Sequence, residues 1–272
     1  MISLAPSRVS SRRRPSPLVE VWRARELLRN LVLRNLRVKY QRSFLGFVWT
    51  LINPLLTIAV LVGVFGFVVR LDVPDYWAFL IAGYFLWSFA AQTLSAATAV
   101  LPEHAHLARS VPFPAEVLVL AAALSRLVEF LTEMVLTVIL LAVFLHHGVP
   151  LSFLWLPVLV LVALVLVVGL SLPIATFSAL FHDVQHTVPI AMMILFYASP
   201  VFYPAAMVPE SVRPLYLLNP FAGLLTLART VLYEGRAPDL GLLASTVLVT
   251  ALIAWFGHAV FRRYRPVLAE IV

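Results

Sequence analysis

Apolar positions run along this chain in long, nearly unbroken blocks, and the polar positions gather between them. A helix needs about 20 mostly apolar residues to cross a bilayer. Six blocks meet or approach that length: Phe44–Val69, Tyr76–Val100, Val117–Leu145, Phe153–Leu180, Val188–Phe202 and Leu240–Phe261. The fifth is the shortest, and Pro200 and Pro204 end it. Between blocks stand helix breakers such as Asp72-Val73-Pro74, Leu101-Pro102 and His147-Gly148-Val149-Pro150. The pattern predicts an all-α polytopic membrane protein with six transmembrane helices.

Two stretches outside the blocks have their own pattern. Over 18–43, Arg23, Glu26, Asn30, Arg34, Arg37 and Gln41 recur at spacings of three and four, so they share one helical face. Leu28, Val32, Leu36 and Tyr40 fall on another. A basic amphipathic helix beside a span is expected to lie in the membrane interface. The second stretch, Ala205–Gly235, is apolar but cut by Pro209, Pro214 and Pro220. It predicts two short re-entrant helices, near Glu210–Leu218 and Phe221–Leu232, before the last span. Such backbone is tolerated at membrane depth only inside protein or beside a wet cavity.

Composition agrees with this reading. The chain is 62% hydrophobic and 12% charged, against about 45–50% and 25% in soluble domains. The net charge of +7 does not point to nucleic acid, because its placement is lopsided. Eleven of the 20 Lys and Arg precede residue 43, beside a span, as expected of a cytoplasmic flank against anionic lipid. An even number of spans then returns Arg262, Arg263 and Arg265 to the same side. Both termini are therefore expected in the cytoplasm. No cleavable leader is apparent in the first 40 residues, which hold no apolar run. The expected divisions are a disordered basic segment over 1–17, the interface helix over 18–43, the membrane domain over 44–265 and a tail over 266–272.

Several chemistries find no footing. With no cysteine there is no thiol nucleophile, disulfide or cysteine-ligated zinc. None of the ten glycines precedes a lysine, so the phosphate-cradling loop of an ATPase is absent. Gly169-Leu170-Ser171-Leu172-Pro173 lacks the last glycine of a nucleophile elbow. His182 and His186 stand at i, i+4 near Asp183 but without a third ligand on that stretch. No catalytic residue, metal site or bound cofactor is expected.

Four stretches in order carry a resemblance: VKYQRSFLGFVWTLINPLL (38–56), HLARSVPFPAEVLVLA (106–121), FHDVQHTVPIAMMILFYASPVFYP (181–204) and YLLNPFAGLLTLARTVLYEG (216–235). Across residues 25–265 the chain resembles the ABC type 2 permeases that export O-antigen, teichoic acid and capsular polysaccharide. The resemblance implies a homodimer in the plasma (inner) membrane that encloses a channel for a lipid-linked polysaccharide. It implies two copies of a separate ATPase subunit, which binds the ATP and Mg. O-antigen is the first choice of polymer, with teichoic acid or capsule next. It also places a coupling helix near 102–114, where Glu103, His104, Leu107, Arg109 and Phe113 are the candidate contacts to the ATPase. Without the resemblance that loop reads as an ordinary solvated one. The outer-mouth helices fall near 207–233.

Two sets of residues inside the spans call for a role. Arg126, Glu129 and Glu133 stand at i, i+3 and i+7 on one helical face, and charges at that depth cost roughly 2.5–3.5 kcal/mol each. They read either as a structural Arg126–Glu129 pair or as part of the transport path. Aromatic residues crowd the second and fifth spans. Beyond an interfacial belt, Tyr84, Phe85, Trp87, Tyr197, Phe202 and Tyr203 are candidates to line the channel, where ring faces stack on sugars. A competing reading is a self-sufficient secondary transporter with Glu133 as its proton-coupled carboxylate. The absence of a clear internal repeat disfavours it.

Overall fold

The computed structural model describes residues 24–41, 48–104 and 114–271. Nine α-helices and no strands occur among them. They are α1 (Arg25–Tyr40), α2 (Trp49–Leu61), α3 (Tyr76–Glu103), α4 (Glu116–Phe144), α5 (Leu156–Leu180), α6 (Val184–Tyr197), α7 (Arg213–Leu217), α8 (Pro220–Leu232) and α9 (Leu240–Ile271). A π-helical turn, Val62–Val68, continues α2, and a 3₁₀ turn, Leu151–Trp155, precedes α5.

Five of these helices are long and apolar enough to cross a membrane: α2 with its π turn, α3, α4, α5 with its 3₁₀ turn, and α9. The expected fifth span differs. Its helix starts earlier, at Val184, and ends at Tyr197, 14 residues in all. At 1.5 Å per residue it is about 21 Å long, short of the roughly 30 Å hydrocarbon core. Beyond it the chain leaves the helix over Ser199–Tyr203, because Pro200 has no N–H to continue the ladder. Yet α6 and this turn track α3 in the antiparallel sense. Pro189 lines a cavity with Ala96, the Phe196 and Trp87 rings lie 5.9 Å apart, and the Tyr76 hydroxyl donates to the Phe202 carbonyl at 2.6 Å. The stretch from Pro189 to Phe202 thus matches about 20 residues of α3.

α3 is the central element and the most buried of the long helices, whereas α2 and α9 are the least enclosed. A large cluster joins α3, α4, α5 and α8 around Phe85, Phe130, Leu166 and Leu225. A smaller one gathers at the α1 end, where Leu31, Leu101, Val117 and Phe261 meet. α5 and α9 cross closely. A β-carbon on Gly169 would lie 2.6 Å from the Ala254 Cα, and one on Gly257 would overlap the Gly169 carbonyl. Small residues let membrane helices approach in this way and gain dispersion contacts along both backbones.

Of the short helices before the last span, α8 packs inside the protein. Phe221, Leu224, Leu225, Leu227, Val231 and Leu232 are all buried in the bundle. Asn219 caps its start by accepting from the Phe221 N–H at 3.0 Å. At its far end His146 Nε2 lies 2.7 Å from the Leu232 carbonyl, and the Ser152 hydroxyl donates to the Val231 carbonyl at 2.9 Å. Side chains thus meet the free carbonyls of a helix end buried in protein. α9 runs on past the expected end of its span, through Arg262, Arg263, Arg265 and Pro266 to Ile271.

Candidate transport path and inner face

α1 has the expected polar side: Glu26, Asn30, Arg34, Arg37 and Gln41 are exposed. Arg23 falls outside the described residues. Its opposite side docks on protein rather than facing lipid alone. Leu31 is buried, and Leu27, Leu28 and Val32 pack against the smaller cluster. Asn35 Nδ2 stands 3.4 Å from the Ser125 hydroxyl of α4. Lys39, one turn on, reaches both carboxylate oxygens of Glu129 at 2.7 and 2.9 Å. Burial pulls the Lys39 ammonium below its ordinary pKa, and the bond to Glu129 opposes that pull.

The intramembrane charges therefore form a larger group than their spacing on α4 shows. Arg126 Nη1 donates to Glu129 at 2.9 Å and to the Gln92 side-chain oxygen at 3.1 Å. Glu129 thus takes cations from two helices, and its side chain is only 7% exposed. Glu133, one turn further along α4, is also buried. Neither Lys39 nor Gln92 stood out in the sequence. Lys39 lies on α1 one turn from Asn35, between the helical positions of Leu28 and Val32, and a lysine on that apolar side was the available signal.

The aromatic candidates separate. Trp87 and Tyr197 line one cavity of about 510 Å³, with Met192, Met193 and Phe196 beside them and Arg126 at one side. Tyr197 is 62% exposed, and Trp87 is held between the rings of Phe196 and Phe221. Phe85 is 1% exposed and belongs to the core, so its ring does not border this cavity and the channel-facing expectation for it is corrected. Tyr84 is half-buried against the core and does not line the cavity. Phe202 stacks among Phe65, Phe196, Tyr197 and Tyr203. The Tyr203 hydroxyl donates to the Tyr197 carbonyl and lies 3.0 Å from that of Tyr216.

At the end opposite α1, a residue absent from the expected site organises the break after α6. Arg229 of α8 is buried. Its guanidinium donates to the carbonyls of Pro200, Val201 and Phe79 and lies 3.7 Å over the Phe79 ring. Gly83 gives it room, since a β-carbon there would stand 3.0 Å from Nη2. Two of the three carbonyls, those of Pro200 and Val201, belong to the break itself. An arginine in an otherwise apolar helix was the sequence signal for it.

The expected coupling region is only partly described. Glu103 is exposed on the last turn of α3, and His104 Nδ1 lies 2.9 Å from the Val100 carbonyl. Leu107, Arg109 and Phe113 lie outside the described residues. Just after them, Glu116 opens α4 as a buried carboxylate, with Arg265 of α9 at 3.9 Å. His182, Asp183 and His186 are exposed at the start of α6.

An all-α bundle of long apolar helices, with its buried charges held inside protein, defines an integral membrane protein of the polytopic kind. Residues 26–233 match the model of the ABC-2 type transporter family, and the chain belongs to that family. It is 31% identical over 255 residues to the O-antigen export system permease protein RfbA of Myxococcus xanthus, covering 93% of this chain and 98% of that protein. An RfbA from Klebsiella pneumoniae is 26% identical over 251 residues, covering 91% of this chain and 95% of its own. The polysialic acid transport protein KpsM of Escherichia coli is 22% identical over 237 residues, covering 85% of this chain and 91% of the other.

Proposed function

We propose that this chain is the membrane subunit of an exporter that moves a lipid-linked polysaccharide, of O-antigen type in the first place, across the plasma membrane. Teichoic acid or capsule is the next choice of polymer. A separate ATPase subunit, present in two copies, binds ATP and Mg and supplies the energy. Two copies of this chain enclose the path. α1 and the Arg262–Arg265 end of α9 face the cytoplasm, and α6 with its following turn is the fifth of six crossings.

The observation that carries the reading is the cavity lined by Trp87, Phe196 and Tyr197. Ring faces offer weak, repeated contacts that hold sugar rings without fixing one hydroxyl pattern. Such contacts suit a polymer that slides. The relatives named for O-antigen export support the polymer class.

The test is reconstitution with the ATPase subunit whose gene is expected beside that of this chain. The pair is expected to co-elute, to hydrolyse ATP only when the ATPase is present, and to move polysaccharide across vesicles when ATP is added. Failure of the complex to form, or transport without ATP, would sink the proposal.

A further inference from the structure

Two cavities in this chain share part of their lining. The first is the aromatic cavity of about 510 Å³. The second, of about 470 Å³, lies between α1, the last turns of α3 and α4. Arg126 and Ala96 line both. Their linings differ in chemistry. Arg34, Asn35 and Lys39 bring donors to the second, with Glu103 and Glu129 as the acidic members. Trp87, Met192, Met193, Phe196 and Tyr197 wall the first. A donor-rich compartment beside an aromatic and thioether one, with Arg126 lining both, has the polarity of an amphiphile.

We propose that the joined cavities bind a phosphate or diphosphate head carried on an apolar chain, with Arg126 as the residue that takes the phosphate. The proposal rests on the lipid-linked substrate proposed above and assigns the place of its head.

Three observations carry it. The hydrogen bonds of Arg126 among the described residues, to Glu129 and to Gln92, both use Nη1. Its Nε and Nη2 donate to no acceptor among the described residues, which leaves one edge of a planar fork suited to phosphate oxygens. Second, Glu129 does not depend on Arg126. Lys39 reaches both of its oxygens, so Arg126 can turn from Glu129 to a ligand without orphaning a buried carboxylate. Third, the donors in the second cavity come from two different helices, α1 and α4. A head bound there therefore ties the basic interface helix to the span that bears Arg126. The facing charges are Lys39 and Arg34 on α1, Glu103 on α3, and Glu129 with Glu133 on α4. With all of these and Arg126 ionised, the group is neutral. An incoming anion therefore competes with Glu129 for Arg126 rather than filling a positive hole.

That competition separates this site from a merely structural ion pair. In phosphatidylcholine nanodiscs, the full chain is expected to bind radiolabelled farnesyl diphosphate saturably. Arg126→Gln is expected to weaken binding at least tenfold and Arg126→Lys less, because a lysine keeps the charge and loses the fork. Glu129→Gln, which removes the competitor, is expected to tighten binding several-fold. A structural pair predicts the reverse for Glu129→Gln. Undiminished binding by Arg126→Gln, or weakened binding by a Glu129→Gln protein of unaltered unfolding temperature, overturns the proposal.

Inorganic pyrophosphate is expected to displace the probe only at much higher concentration, since it lacks the chain. Equal displacement would leave the apolar compartment without a role and overturn the joined site. Displacement by phosphatidylglycerol at concentrations matching the probe would give the site to bulk phospholipid and overturn the substrate assignment. The two readings fail separately. Lack of ATP-driven export by the wild-type complex refutes the proposed function, whereas unchanged probe binding by Arg126→Gln refutes this site alone.

Discussion

The guanidinium of Arg229 lies 3.7 Å over the ring of Phe79 and donates to the Phe79 carbonyl at 3.3 Å. One side chain of α8 thereby fastens α3 to the broken segment after α6, whose Pro200 and Val201 carbonyls it also satisfies. A break in a helix at membrane depth is stable only if its freed polar groups find partners inside the protein; here a buried cation serves two carbonyls, and the Tyr76 and Tyr203 hydroxyls meet those of Phe202 and Tyr197.

Replacing Arg229 by Met is accordingly expected to leave the buried Pro200 and Val201 carbonyls without a donor, whereas the Phe79 carbonyl keeps its place in the α3 ladder. Each costs about 1–3 kcal/mol, so the detergent-solubilised protein should unfold at a clearly lower temperature. Gly83→Val, which crowds the Nη2 position, should lower it in the same direction. An unchanged unfolding temperature in both variants would show that the break holds itself.

The crossing of α5 and α9 leaves no room at Gly257, where a β-carbon would overlap the Gly169 carbonyl. Gly257→Leu is therefore expected to force the helices apart, with loss of folded yield. Gly63, which has open space around it, should accept Ala with little change. Size-exclusion profiles of the two variants in detergent make the comparison.

α1 docks on α4 through its apolar side and through the polar pairs Lys39–Glu129 and Asn35–Ser125. The chain has no cysteine, so Asn35→Cys with Ser125→Cys gives a clean pair for a short bismaleimide. Efficient cross-linking is expected. Adding Lys39→Met should reduce it, since Lys39 is 39% exposed and its partial contribution is about 1 kcal/mol or less. Equal cross-linking with and without Lys39 would assign the docking to the apolar face of α1.

Trp87 and Tyr197 line the same cavity but differ in what else they do. Trp87 is buried between two rings, so Trp87→Ala should lower both stability and export. Tyr197 is largely exposed, so Tyr197→Ala should lower export by severalfold while the unfolding temperature stays put. Export at the wild-type rate by Tyr197→Ala would remove this ring from the path.

Glu133 tests the competing energy source. Under ATP-driven export, Glu133→Gln should retain transport when ATP is supplied to vesicles with no pH gradient. Transport that follows the gradient and disappears in Glu133→Gln would favour the proton-coupled reading.

Much of the architecture could be read from the one-dimensional pattern. Apolar blocks of bilayer length gave α2, α3, α4, α5 and α9 because a spanning helix must hide its backbone polar groups within itself and its side chains in lipid. The same logic placed α1 as a basic amphipathic helix and α7 and α8 as short helices between prolines. Local rules govern these features, and local sequence shows them.

What the sequence could not reveal depended on which faces meet. Spacing put Arg126, Glu129 and Glu133 on one face of α4, but only packing brought Lys39 from 90 residues away to the same carboxylate. The clustering of aromatics pointed to Trp87 and Tyr197 and equally to Phe85, yet Phe85 turns into the core while Tyr197 stays open. In an apolar span the inward and lipid-facing sides have the same composition, so hydropathy carries no signal of direction. Arg229 shows the same limit: its position in the chain marked it as costly, and the tertiary structure alone supplied the three carbonyls that offset the cost of burying it. The sequence determined which segments enter the membrane, because that is a transfer between two solvents. The fold decided which side chains meet there, because that is a matter of packing one helix against another.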